Sequence, residues 1–216
     1  MKAFEAWLAT TPHPVTLFVI TDLFESEEFG EWFNALLAKH GERLTVGCHG
    51  LTHRSWSAWP EDGEGFEASL KQATAVLKEK AGGHFRPWFR APAGYIAPWM
   101  ATTLAGQGYT VDSSVNPSWL VRKKAGKGNS WADVNDAMAQ QGVLERPWAT
   151  RFSLPVNGPA LTKFPLSVIA RGVWKKAPSV LTGSELDAAV PDSTQPLVTL
   201  YWHVLDHARN KATWTP

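Results

Sequence analysis

The strongest constraint on the fold is an alternation. Short runs rich in β-branched and aromatic residues are separated by longer segments whose apolar residues fall three and four apart. The runs are "VTLFVIT" (Val15 to Thr21), "LTVGCH" (Leu44 to His49), "WFRAPAG" (Trp88 to Gly94), "YTVDSSV" (Tyr109 to Val115) and "PLVTLYWH" (Pro196 to His203). The first is a continuous β-branched and aromatic run, as expected of a strand covered on both faces. Phe29, Phe33, Leu36 and Leu37 mark an amphipathic helix ending at "KHG", with Gly41 as its C-cap. Phe66, Leu70, Ala73 and Leu77 mark another, which stops at Gly82-Gly83, and a further helix lies near Pro98 to Ala105. A looser Gly- and Pro-rich stretch containing "RFSLPV" (Arg151 to Val156) precedes the last run. Strands alternating with helices predict an α/β fold, a parallel sheet with helices packed outside it. Periodicity does not decide between a barrel and an open sheet.

The pattern opens on a helix, with Phe4, Trp7 and Leu8 at helical spacing before the breaker "TPHP". A regular β/α barrel opens on a strand and runs to ~250 residues. This chain has 216. A missing first strand accounts for both observations, and residues 1–216 are then most simply one domain.

The net charge of +1 and pI near 7.9 argue against the basic field that nucleic acid or anionic lipid requires. The one basic cluster, "VRKKAGKG" around Lys123, reads as a solvated loop. A single cysteine, Cys48, excludes an internal disulfide and is expected to point into the core. No apolar run approaches the ~20 residues of a membrane span. The N-terminus lacks the apolar region of a signal peptide, so the default compartment is the cytoplasm, with an envelope or secreted context open if the chain starts elsewhere. Twelve tryptophans serve the core first, though the same residue stacks on sugar rings.

Four polar residues share one location. His49, Arg90, Asp112 and His203 each stand at or near the end of a different predicted strand. In parallel α/β folds those ends converge on the face that carries active sites. Each has an ordinary reading too: His49 and His53 as loop histidines, Arg90 as a guanidinium reaching the surface, Asp112 as a turn or cap residue, His203 as a core histidine. The spacing of His49 and His53 directs two imidazoles toward one ion if the segment turns as a helix. Arg90, in "FRAPAGY", suits bidentate contact with a carboxylate. Asp206 and His207 read as loop residues.

Taken in order, "VTLFVI", "HGLTH", "FRAPAGY" and "LYWHVLDH", with "FEASLKQATAVLKEKAG" before the arginine block, resemble the polysaccharide deacetylases of carbohydrate esterase family 4. The resemblance runs from about Val15 onward. It implies a distorted (β/α) barrel, here lacking its first strand, and hydrolysis of N-acetyl groups on an amino-sugar polysaccharide or glycolipid. It also implies a divalent metal, zinc foremost with cobalt or nickel as alternatives, held by His49 and His53. His203 becomes the general acid, with Asp112 as its partner. Arg90 holds the catalytic aspartate, the backbone N–H after Pro92 and Ala93 serves as oxyanion donor, and Ala93, Tyr95 and Trp202 line the substrate. The implied partner is an N-acetylated carbohydrate.

One departure stands out. The family's Asp-Asp motif, which supplies a metal ligand and the base, is absent. A start downstream of the true one, a degenerate homologue, or substitution by Asp22 at the exit of its own strand would each explain this. The alternatives to a deacetylase are accordingly a glycan-binding domain without catalysis and a related amidohydrolase or deformylase acting on a small amide or sugar lipid.

Overall fold

Five parallel strands pair in chain order, with His49, Arg90 and Asp112 at or just past the C-terminal ends of β2, β3 and β4. The structure, a computed structural model, describes residues 1–176 and 182–208. Helix α1 (Lys2–Thr10) leads into β1 (Val15–Val19), α2 (Glu27–His40), β2 (Leu44–Cys48), α3 (Gly63–Ala81) and β3 (Phe85–Phe89). Then follow α4 (Met100–Gly106), β4 (Val111–Asp112), α5 (Trp131–Gln140) and β5 (Leu144–Glu145). The sheet order is β1-β2-β3-β4-β5. In register, Val19 lies beside Cys48, Phe89 beside Asp112, and Asp112 beside Glu145.

The sequence explains the central elements. Strand β2 is buried at all five positions, as its unbroken run requires. Helix α3 starts where the Asp62 carboxylate accepts from the Gly65 N–H at 2.9 Å, and it buries Phe66, Leu70, Ala73 and Leu77 on one stripe. Ser26 caps α2 in the same way, accepting from Phe29 N at 3.3 Å. Gly41 is the C-cap of α2 but sits in right-handed helical conformation, φ −56°. A Cβ there would meet His84 Cε1 at 2.6 Å, so a larger residue would have to displace the His84 ring.

The later chain carries more structure than its composition suggests. A two-stranded antiparallel hairpin, β6 (Thr150–Arg151) and β7 (Leu154–Pro155), precedes α6 (Leu166–Trp174) and α7 (Gly183–Ala189). The expected strand at Pro196–His203 is reduced to one bridge, Thr199 beside Trp148. Tyr201 N instead donates to the Asn157 side chain at 3.1 Å, and Gly158 N donates to Tyr201 O at 3.2 Å. Helix α7 is fastened to the sheet by Asp187, which accepts from Thr45 Oγ1 at 2.8 Å and from Arg86 Nη2 at 2.6 Å.

Two apolar clusters result. The larger joins α1–α5 to the sheet around Phe33, Val46, Phe66, Leu70, Phe89 and Leu104, all buried. Each such Phe or Leu contributes ~1.5–3 kcal/mol by leaving water. The smaller lies under α6 around Val156, Leu161 and Ala170, and Trp202 packs against both. Cys48 is fully buried, and desolvation raises its thiol to about 11.

Candidate active site

The parallel ladder continues one residue past the strands, and this continuation positions the site. His49 N donates to Val19 O, Arg90 N to Cys48 O, and Ser113 N to Phe89 O, each at 2.9 Å. His49, Arg90 and Ser113 therefore stand side by side where β2, β3 and β4 end. The segment after His49 is not helical. It bends at Gly50, φ +94°, a conformation open to glycine, and Thr21 N and Asp22 N donate to Gly50 O and Leu51 O.

That bend, rather than a helical turn, brings the two imidazoles together with ring centres 5.4 Å apart. Two imidazoles on one tetrahedral ion at ~2.0–2.1 Å would have centres about 5 Å apart, close to the separation found here. His49 Nδ1 lies 2.6 Å from the Arg90 carbonyl. A carbonyl only accepts, so Nδ1–H donates and Nε2 keeps its lone pair for a ligand. Burial lowers the His49 pKa to about 3, against the opposing hydrogen bond to Arg90 and with help from the charges of Arg90, His53 and His203. The ring is neutral at pH 7, as a metal ligand must be. His53 is exposed. The third ligand is not assembled: no group of three or more His, Cys, Asp or Glu side chains suited to a metal forms among the described residues. Asp22 is tied to the bend through its backbone but does not complete the set.

Arg90 is held by aromatic faces and a serine. Its Cζ lies 4.3 Å from the Phe18 ring centre, 5.3 Å from Tyr201 and 5.7 Å from Trp148. Nε donates to Ser113 O at 2.9 Å and Nη2 to Ser113 Oγ at 2.8 Å. Burial lowers its pKa to about 10, while Tyr201, Asp112 and Glu145 favour the charged form, so it stays a cation at pH 7. Among the described residues no carboxylate lies within ion-pair distance of it.

Asp112 faces Glu145, a residue the sequence reading passed over. Asp112 Oδ1 accepts from Ser114 Oγ at 2.6 Å, and Glu145 Oε1 accepts from Val115 N at 3.1 Å. The second oxygen of each, Asp112 Oδ2 and Glu145 Oε2, is buried with no partner when both groups are carboxylates. Desolvation raises both pKa values, that of Glu145 well above the usual range with the Asp112 charge adding to it. A proton shared by the two carboxyls would give these oxygens a partner and leave a single negative charge near Arg90.

His203 takes a different partner from the one expected. Asp206 Oδ2 lies 3.5 Å from His203 Nδ1 and accepts from His203 N at 3.0 Å, and Asp206 is buried. Asp112, engaged with Ser114 and Glu145, is not the histidine's partner. Ala93, at φ +53°, offers its carbonyl to Lys124 Nζ at 2.7 Å, and the same ammonium lies 5.2 Å from the Tyr95 ring centre. The Gly94 and Tyr95 N–H groups, beyond Pro92 and Ala93, are taken by Ala91 O and Pro92 O. Trp202 points inward, donating to His207 Nε2 at 2.7 Å and packing on Trp7 and Trp174.

The C-terminal edge of a parallel α/β sheet thus carries His49 and a half-buried Arg90 side by side. The polysaccharide deacetylase family profile matches residues 2–111, just over half of the chain, and the chain belongs to this family. That span contains His49, His53 and Arg90, whereas Asp112, Glu145 and His203 lie beyond it. A structure from Mycobacterium smegmatis assigned to the polysaccharide deacetylases is similar at TM-score 0.50 and 18% identity, over 93% of this chain and 79% of that one. IcaB from Ammonifex degensii aligns at TM-score 0.49 and 21% identity, over 81% of this chain and 66% of its own. No curated protein matches at a significant level.

Proposed function

We propose that the protein hydrolyses N-acetyl groups on an amino-sugar polysaccharide or glycolipid. The observation that carries this reading is the meeting of a neutral, oriented His49 with His53 at the edge where Arg90 also stands. A divalent ion held by the two imidazoles, zinc foremost with cobalt or nickel as alternatives, would polarise the acetyl carbonyl and acidify its bound water. The chain's own residues supply the rest. His203, with Asp206 beside it, would give a proton to the leaving amine. Arg90 keeps a fixed positive charge at the floor of the site. Ala93 and Tyr95 would border the acceptor, next to Lys124.

The test is release of free amine from N-acetylated glucosamine oligomers, with added zinc, cobalt or nickel and with chelator. Turnover that needs metal and falls at least about 100-fold in His49→Ala is expected. No turnover with any of the three metals rules out catalysis by this chain. One observation favours a second reading, a glycan-binding domain without chemistry: the three-ligand set is not assembled among the described residues. That reading predicts oligosaccharide binding indifferent to chelator and to His203→Ala.

A further inference from the structure

We propose that the surface formed by the turn Trp119–Ala125, the β6–β7 hairpin and the outer side of α6 docks on an anionic lipid bilayer. The first observation is a segregation of charge. The stretches Ser113–Ala132 and Arg146–Lys176 hold ten of the 21 lysines and arginines and none of the 20 acidic residues. Seven of the ten, Arg122, Lys123, Lys127, Arg151, Lys163, Lys175 and Lys176, are exposed. Lys124, Arg146 and Arg171 turn inward instead, donating to backbone carbonyls. The acids bordering these stretches do not cancel the field at close range. Asp112 is buried, Glu145 Oε2 is buried, and Asp133 holds Ser130 at the start of α5, where Asp136 is also exposed.

The second observation is apolar. Of the nine large hydrophobic residues exposed among the described residues, five lie in these same stretches: Trp119 at 61%, Leu120 at 43%, Phe152 at 73%, Phe164 at 85% and Val168 at 67%. They form a connected region, because the hairpin packs on α6 and β7 packs on the Trp119–Ala125 turn. Phe164 is exposed in the turn just before α6 and Val168 on its outer side, while Ser167 and Ala170 face inward and are buried. At the hairpin tip, Arg151 Cζ lies 4.5 Å from the Phe152 ring centre, so cation and ring point out together.

Bulky apolar tips set among cations match the boundary of a bilayer, where rings enter the acyl edge and cations meet anionic headgroups. A nucleic acid or acidic glycan satisfies the cations and leaves Phe152 and Phe164 in water. No described helix is long and apolar enough to cross a membrane, so the attachment is peripheral. The face also adjoins the candidate site, since Lys124 of the same turn donates to the Ala93 carbonyl. This inference does not depend on the deacetylase reading.

The experiment is co-sedimentation of the full chain with vesicles of phosphatidylcholine alone and of phosphatidylcholine with an equal part of phosphatidylglycerol. Binding is expected to the anionic vesicles only, with release in 1 M salt, where the Debye length contracts to about 3 Å. Phe152→Ser with Phe164→Ser should weaken binding about ten-fold, and Arg151→Glu or Lys163→Glu about five-fold or more each. These positions are exposed, so an unchanged melting temperature is the control. Failure to bind the anionic vesicles, equal binding to both, or unchanged binding by the double variant overturns the proposal. So does a dimer on gel filtration that the same variants dissolve, which would assign the surface to a second copy.

Discussion

The Asp112–Glu145 pair is the residue-scale feature with the clearest consequence. Both carboxyls have raised pKa values in the fold, chiefly through burial. The folded chain thus keeps a proton that the unfolded chain releases above the ordinary glutamate value of 4.5. For an acid shifted upward, stability is present below the unfolded pKa and is lost as pH rises toward the folded one. The slope is at most about 1.4 kcal/mol per pH unit while one proton separates the two states. Glu145→Gln keeps a donor toward Asp112 and removes the titrating proton, so its stability should fall less than that of the parent between pH 5 and pH 8. Urea midpoints across that range measure it, and parallel curves for the two proteins would contradict the shared proton. Arg90→Lys tests the aromatic cage. Lysine keeps the charge but loses the flat contact with Phe18, Tyr201 and Trp148 and the fork on Ser113. A loss of about 1–3 kcal/mol in denaturant unfolding is expected. His49 was legible because it closes the run Leu44–Cys48, and Arg90 because it follows Trp88 and Phe89 in a distinctive segment. Glu145 was not, since it ends a two-residue strand with no periodic signal around it. Asp206 passed for a loop residue because its partner, the His203 main chain, is made by the local turn.

At the scale of elements, the hairpin offers a stabilising change. Phe152 and Ser153 have φ of +53° and +55°, which is the pattern of a type I′ turn made without glycine or asparagine. A left-handed non-glycine residue costs ~1–2 kcal/mol, so Ser153→Gly should add about 1 kcal/mol and raise the melting temperature by roughly 2–4 °C. Differential scanning calorimetry reads this directly, and a lower melting temperature would mean that the Ser153 side chain matters more than its backbone. The same contrast between side chain and backbone explains what could be read of the fold. The runs at β1 and β2 and the striped helices α2 and α3 stood out through their apolar residues, although β1 buries only alternate positions. The strand expected from Trp88 lies earlier, at Phe85–Phe89, where Arg86 and Pro87 interrupt the apolar run. The run Tyr109–Val115 yields only Val111–Asp112 as strand. Beyond it, Ser114 Oγ accepts from Ala91 N at 2.8 Å and donates to Asp112, so a side chain bridges where the ladder would continue. At Tyr201 the Asn157 side chain does likewise, and sequence periodicity carries no mark of either substitution. Helix α5 did have a readable signal. Ser130 and Asp133 form a reciprocal capping box ahead of the buried Val134 and Met138.

For the whole molecule, a net charge of +1 is a sum over two unlike regions, and reading it as a uniform surface hid the basic face. The division in charge follows the division in packing, because much of that face belongs to the smaller apolar cluster under α6. Trp202 is the side chain shared between the clusters, with Trp7 at 5.2 Å on one side and Trp174 at 5.6 Å on the other. If this indole couples the two regions, Trp202→Ala leaves the sheet core largely intact and lets α6 and the hairpin open on their own. A loss of about 3 kcal/mol at the junction corresponds to roughly 100-fold faster hydrogen exchange for α6 amides. Amides of β2 and α3 should change much less. Hydrogen exchange followed by mass spectrometry separates the outcomes, and an equal rise in exchange across all elements would mean that the two clusters unfold as one unit without needing Trp202 to join them.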